Sequence, residues 1–518
     1  MSATTVDSFN FDGMKDSKGS LPFAPFVKKE LNYVVDNNGG SNVYSRNQVE
    51  FDTTTMAGND MWGDYRNGFI SIPVVATVER SAGELSQLQA RELLRFKSGN
   101  HTLIDSISIK YGNSPVIQEQ AGVNAYLSFR QHSEWSLNEA LLNSHTGYRK
   151  DSTNWSYDNA MGMINNAYDL SDTTFIDHLG SNRGAVLSGT DVVGSGVNFN
   201  DLGGAITPPA GGNAAKSLVH VFYYDCIIRL KDLPFFAKLD PVRFASIKIN
   251  IKLNQSVSVL TYAASELTGQ QTGLKGYSNF ALRSDKHPVA AGTETISVNV
   301  VSGKVGNDTF THIKTECRLY VPYYALEASA KESYLALGSK KVLYEDVDMR
   351  VIKVEAGKQI SGQITNSQSR VRRLIIVPML AADGNVPAAH ESCLSTEPST
   401  CSPCFIKNFN VVVGNQNHYA EDMEFKYMNY LSELNGNYGI NHNQVTGLTS
   451  SMISQHDFNQ NYGYIVVDLS RKYASDDNLP LNIRITGQNV SHKALNLHCF
   501  LEYNKDITID IATGERQD

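Results

Sequence analysis

The chain has 518 residues, 41% of them hydrophobic and 19% charged, which suits a folded protein of more than one domain and excludes a disordered one. Its formal charge is −8, with no block of like charges. Direct packing of nucleic acid, which needs basic arms to neutralise phosphates, is therefore not expected. The first residues lack the basic and apolar regions of a secretory signal, and no apolar run approaches the roughly 20 residues that span a bilayer. The chain is expected to be made in the cytosol and to stay soluble, and its sequons at Asn100, Asn154, Asn254, Asn307 and Asn489 are read as chance.

In chain order, residues 69–78 read as a strand. Ser81 and Glu84 form a capping-box pattern that opens a predicted helix over 84–96, striped by Leu85, Leu88, Leu93 and Phe96. A strand over 103–109 follows, then a second capping box, Ser136 with Glu139, opening a short helix through Leu142. Residues 148–216 are rich in Gly, Asn, Ser and Asp and show no period. So long an insertion in a compact domain is expected to form an outer tower or an inter-subunit clasp, or else to be a variable decoration. Strands return over 221–230 and 244–253, where Ile247, Ile249, Ile251 and Leu253 share one face and Lys248, Asn250 and Lys252 the other.

A weak stretch at 268–287 marks the expected boundary, giving domains of 1–275 and 276–518. Beyond it, Ile296, Val298 and Val300 alternate, 314–324 reads as a strand, 326–337 as a helix ended by Gly338, and 342–354 as a strand. Residues 373–380 are continuously apolar, as in a strand covered on both faces. A helix over 422–434 ends at Asn435 and Gly436, and strands follow at 464–471, at 481–485 and through Ile507, Ile509 and Ile511.

The second half thus repeats the order of the first at an offset of about 240 residues, too long for a solenoid. In that reading 69–78 matches 314–324, 103–109 matches 342–354, 221–230 matches 464–471, and 244–253 matches 481–485. The expected fold is all-β: two tandem eight-stranded jelly rolls with short inserted helices and long loops.

Chemistry is sparse. His390 and Cys393 with Cys401 and Cys404 have ligand types that zinc accepts, but the loop between them is short and proline-bearing. Unmodified thiols, a structural zinc and a disulfide all remain readings of that loop. Cys226, Cys317 and Cys499 read as small buried hydrophobes. The histidines, among them His101, His132, His145, His178, His312, His418, His442, His456 and His492, form no spaced ligand pair. No Walker loop, nucleophile elbow or dinucleotide fingerprint is present. No catalytic, cofactor-binding or metal residue is assigned, and no enzymatic activity is expected.

Several segments carry a family resemblance. They are Leu-Lys-Asp-Leu-Pro-Phe-Phe-Ala-Lys-Leu at 230–239, Arg-Leu-Tyr-Val-Pro-Tyr-Tyr-Ala at 318–325, Leu-Tyr-Glu-Asp-Val at 343–347 and Arg-Leu-Ile-Ile-Val-Pro at 373–378. Asn-Phe-Asn-Val-Val-Val-Gly at 408–414, Tyr-Ile-Val-Val-Asp-Leu-Ser-Arg at 464–471 and Ile-Thr-Ile-Asp-Ile-Ala-Thr-Gly at 507–514 complete the set. With these the chain resembles the double jelly-roll major capsid proteins of polinton-like viruses, adintoviruses and virophages, within the adenovirus-like lineage of double-stranded DNA viruses. The likeness spans residues 60–514, and the loop holding Cys393, Cys401 and Cys404 departs from the Ser/Thr/Pro-rich segment of the family.

The resemblance implies a homotrimeric, pseudo-hexameric capsomer tiling an icosahedral shell. Its implied partners are other copies of the chain, neighbouring capsomers and penton or minor capsid proteins, without sequence-specific nucleic-acid binding. An inner membrane in the virion is compatible with it, met without a transmembrane segment. The implied location is the virion capsid, after synthesis in the host cytoplasm or nucleus. The alternative is a carbohydrate-binding or carbohydrate-active double β-sandwich.

Overall fold

A computed structural model of the chain describes residues 26–37, 48–58, 60–80, 93–96, 99–113, 115–148, 185–186, 218–254, 260–263, 282–283, 293–300, 304–305, 308–309, 316–381, 406–435, 449–460, 462–470, 479–491 and 494–517. The first roll is built from β1 (Phe26–Val35), β2 (Gln48–Asp52), β3 (Phe69–Arg80), β4 (Ile104–Tyr111), β5 (Val116–Ala121), β6 (Leu218–Arg229), β7 (Ile247–Leu253) and β8 (Arg318–Leu326). Hydrogen bonding orders them β1-β8-β3-β6 in one sheet and β2-β7-β4-β5 in the other, all antiparallel. The second roll comprises β9 (Ser339–Val354), β10 (Gln359–Gln368), β11 (Val371–Leu380), β12 (Ile406–Val413), β13 (Gln416–Asn417), β14 (Ile465–Asp468), β15 (Leu481–Asn489) and β16 (Leu495–Asp510). Its sheets run β9-β16-β11-β14 and β10-β15-β12-β13. Each strand of the second roll holds the place of the strand eight earlier, so the fold is two jelly rolls in tandem.

Period-2 alternation explains why these segments pair as they do. In β7 the four apolar residues are buried and Lys248 and Lys252 stand exposed, as the pattern predicts. In β8, Leu319, Val321 and Tyr323 point into the first sandwich. β11 differs: Leu374, Ile375, Ile376 and Val377 are all buried, so both of its faces are covered, again as its unbroken apolar run predicts.

The repeat is real, but two of its expected correspondences are wrong. Residues 69–78 and 314–324 are not equivalents in two sandwiches. They are antiparallel neighbours in one sheet, with Ser71 opposite Arg318, Ile70 opposite Leu319 and Phe69 opposite Tyr320. Residues 103–109 likewise belong with 406–413, and 342–354 with β1, by their places in the sheets. The matches of 221–230 with 464–471 and of 244–253 with 481–485 agree with the strand order. The division expected between 275 and 276 falls inside the first sheet: strand Thr293–Val300 runs along β3, Val300 opposite Val74, on the edge that β8 then continues. The chain passes to the second roll through the helix Ala328–Leu335, which ends, as expected, before the positive-φ Gly338.

Two further differences concern helices. Within the helix expected over 84–96, the described residues Leu93–Phe96 are a strand, paired with Leu282–Arg283 and Ala185–Val186. Partners distant in sequence override the local stripe there. Conversely α1 (Val123–Glu134) follows β5 with no expectation behind it, and α2 (Leu137–Leu142) follows α1 with the predicted capping box formed by Ser136 and Glu139. In the second roll the helix after β13 is α3 (Tyr427–Leu434), the positional counterpart of α1. Residues 149–184 and 187–216 of the expected tower lie outside the described residues, as do Ser81 and Glu84.

Candidate functional site

The most elaborate side-chain constellation lies where the rolls meet, and α1 builds most of it. The helix begins after Gly122, whose φ of +62° is in the left-handed region; a Cβ there would stand 2.3 Å from Met349 Sδ and 3.1 Å from the Phe500 ring. The left-handed backbone favours glycine there, and a larger residue would also have to displace the Met349 side chain. On the side of the first roll, Ser128 Oγ lies 2.8 Å from His101 Nε2 and donates to the Asn124 carbonyl. On the other side, α1 lies against β16, β11 and β14. Tyr126 packs on Phe500 with ring centroids 5.5 Å apart, and Phe129 meets Tyr464 edge-on at 5.0 Å. His132 Nδ1 lies 2.8 Å from the Tyr464 hydroxyl.

Charges are buried among these contacts. Glu502, with no exposed surface, accepts from Tyr126 Oη at 2.7 Å and from Arg130 at 3.0 Å, and pairs with Arg373. Arg130 and Arg373 also reach Glu345 at 3.4 and 3.3 Å, and Arg130 pairs with Glu134 one turn on. Burial works to raise the Glu502 carboxyl, but Arg373 and Arg130 outweigh it and hold it below the ordinary range. Burial pushes Glu134 up to about 7, against the pull of Arg130 and Arg373. Arginines and carboxylates here satisfy one another across the seam. The arrangement resembles a structural lock more than a catalytic centre, since no nucleophile sits beside a base aimed at free space. A cavity of about 130 Å³ opens next to it, lined by Arg130, Glu134, Trp135, Lys231 and Lys238 among others.

The two carboxylates predict opposite pH effects. Glu134, with a pKa above the ordinary 4.5, contributes stability that is fully present below about pH 4.5 and lost as pH rises through about 7. Its side chain is 27% exposed, which limits the effect to at most about 1 kcal/mol per pH unit. Urea midpoints are expected to fall between pH 5 and pH 8, and Glu134→Gln is expected to flatten that fall. Glu502 contributes above the ordinary carboxylate range and loses its contribution as pH drops.

Other bonds tie the rolls at a distance from α1. Tyr344 Oη and Lys505 Nζ both donate to the Ile117 carbonyl, at 2.8 and 2.9 Å, and Tyr111 Oη donates to the Gly514 carbonyl at 2.9 Å. Two sandwiches so joined form one block.

A second feature is a surface. On the outer face of β1-β8-β3, Tyr33, Tyr320 and Phe69 stand opposite one another in register. Tyr320 lies 5.7 Å from Tyr33 and stacks on Phe69 at 4.9 Å. Arg318 sits over the Tyr33 ring and Lys29 over Tyr324. Val27, Leu31 and Tyr33 remain 77%, 53% and 51% exposed. A contiguous aromatic and aliphatic face of this kind marks an interaction surface.

The expected sites fare unevenly. His390, Cys393, Cys401 and Cys404 lie outside the described residues. Cys226, Cys317 and Cys499 are buried, as expected of small hydrophobes. Asn100, Asn254 and Asn489 are buried, which closes these sequons to a glycan in the folded chain; Asn154 and Asn307 lie outside the described residues. Among the described residues no group of three or more His, Cys, Asp and Glu side chains is placed to hold a metal ion. Among them, too, no helix is long and apolar enough to cross a membrane. The seam was missed in sequence: Arg130 and Glu502 are 372 positions apart, and nothing local marks either.

No family model and no curated protein matches the sequence. Solved structures do. A chain in the cryo-EM structure of the Sputnik virophage is similar over 97% of this chain and 90% of its own, at 11% identity and a TM-score of 0.53. The mavirus major capsid protein is similar over 94% of this chain and 89% of its own, at 12% identity and a TM-score of 0.47. For the Faustovirus major capsid protein the figures are 93%, 91%, 11% and 0.43. At 11% identity the likeness to the Sputnik chain is one of fold.

Proposed function

We propose that this chain is the major capsid protein of a double-stranded DNA virus or virus-like element of virophage type. The observation that carries the reading is the tandem pair of equivalent jelly rolls locked into one block, a fold shared over nearly its whole length with a chain of the Sputnik virophage. Two like sandwiches per chain let a three-fold assembly present six similar sides, which is what a shell of close-packed blocks requires. The capsomer is a homotrimer, its neighbours are other capsomers and penton or minor capsid proteins, and its place is the virion shell. In this reading the chain is not an enzyme, and the loop with His390, Cys393, Cys401 and Cys404 has no catalytic part.

The carbohydrate alternative gains nothing from the structure. A sugar site favours exposed tryptophan platforms, yet Trp62 and Trp135 are buried; Trp155 lies outside the described residues. The test is mass and assembly. Sedimentation equilibrium should give three times the 57.1 kDa chain mass, stable to dilution, and electron microscopy should show hexagonal blocks or closed shells. A chain that stays monomeric at every concentration would overturn the reading.

A further inference from the structure

The cavity beside α1 carries charge that the seam does not use. Its volume is about 130 Å³, room for several waters or for one molecule of roughly six heavy atoms. The second half of α1 lines it together with segment 231–238, which holds the short helix Pro234–Lys238, and Glu345 of β9 joins them from the second roll. Most of the charges on these walls are committed. Arg130 pairs with Glu134, Glu345 and Glu502, and Asp232 is held by Arg229 through both Nε and Nη2. Lys231 and Lys238 are different. Both stand exposed at the cavity's mouth, and neither has an ion pair or hydrogen bond among the described residues. Partial burial, and then the nearby Arg229, lower the Lys231 ammonium from its ordinary value, against the pull of Asp232. Deeper in, Gln131 is only 4% exposed, yet its side-chain amide makes no hydrogen bond among the described residues, and its Oε1 is buried without a partner. A buried amide left so is an exception among folded proteins, and it calls for an explanation.

We infer that this cavity is a binding site for a small oxyanion of phosphate size, held by the ammonium groups of Lys231 and Lys238 and by the amide of Gln131. Ammonium donors to a phosphate oxygen make charge-assisted bonds, and an amide N–H adds a directional one. A cation is the wrong ligand, because it would meet two unpaired lysines and find every carboxylate of the walls already engaged. The volume admits one phosphate group, free or as the head of a small monoester, and excludes a polymer of them. The inference goes beyond the capsid reading and does not depend on it. Its consequence is mechanical: an anion bound here ties segment 231–238 to α1, the helix that joins the two rolls. A ligand that binds only the folded chain stabilises it by mass action.

The test titrates the full-length chain with inorganic phosphate, exchanged against chloride at constant ionic strength. Isothermal titration calorimetry reads the stoichiometry, and the thermal midpoint is followed in parallel. The expected result is one phosphate per chain, with a midpoint that keeps rising as the logarithm of phosphate concentration once the site is filled. A double variant, Lys231→Gln with Lys238→Gln, should weaken binding at least about 10-fold, the effect of losing charge-assisted hydrogen bonds. Because both side chains are exposed and unpaired, its midpoint without phosphate should not fall below that of the parent. Lys231→Arg with Lys238→Arg should retain binding. Phosphate that binds the double glutamine variant as tightly as the parent overturns the assignment to this cavity. A midpoint that chloride raises equally shows screening of the lysines alone and overturns it too. A chain with no saturable phosphate binding overturns the inference outright.

Discussion

Replacing Glu502 with alanine is expected to cost about 3–5 kcal/mol of folding stability, the range found when one member of a buried ion pair is removed. The carboxylate has no exposed surface and serves Tyr126, Arg130 and Arg373 together. Without it, Arg373, 4% exposed, loses the carboxylate it pairs with most closely and leans on Glu345 at 3.3 Å, and the Tyr126 hydroxyl loses its acceptor. Removing the whole lock is a different matter. Where both charges are replaced by apolar groups of similar size, buried pairs are often dispensable. A double variant, Arg373→Met with Glu502→Leu, should therefore recover most of the loss. Because α1 joins the rolls through this cluster, the single variant should also split thermal unfolding into two transitions where the parent shows one. Differential scanning calorimetry reads both effects. A Glu502→Ala chain that melts like the parent would show that the cluster holds nothing together.

The second large effect is expected at Gly514. This residue, with φ of +69°, lies in the turn after β16, and its carbonyl accepts from Tyr111 of the first roll. A Cβ there would fall 1.9 Å from the Arg243 carbonyl oxygen and 3.0 Å from the Ala245 nitrogen. Both are backbone atoms, so no side chain can swing aside. Gly514→Ala should cost about 2–4 kcal/mol, combining overpacking with about 1 kcal/mol for a left-handed alanine. Gly357 supplies the control. It has the same φ of +69° with open space around it, so Gly357→Ala should cost only the backbone share. Urea denaturation of the two variants side by side isolates the contact between the rolls. Equal losses would remove that contact from the explanation.

The sequence by itself determined many of the strands, which of their faces are wet, and that the chain is built twice. The alternation in β7, the unbroken apolar run of β11 and the Ser136–Glu139 capping box are local signals, and each is found where it was expected. It did not determine which strand lies beside which. Alternation fixes the face a side chain takes but not the partner of its backbone, and β3 and β8 carry patterns alike enough to pass for equivalents when they are neighbours. Nor did it reveal α1. Ten of that helix's twelve residues are buried, because one roll covers one side and the second roll the other, so no single apolar stripe survives to be read. Its start at Gly122 has no capping side chain to be read, because the left-handed turn against Met349 and Phe500 is taken by a glycine. The seam charges were hidden for the same cause: Arg130, Glu345, Arg373 and Glu502 become a cluster only when strands far apart in the chain are brought together. Local patterning is a property of a few consecutive residues, whereas sheet order and the joining of the rolls are set by long-range burial, and only the tertiary structure decided them.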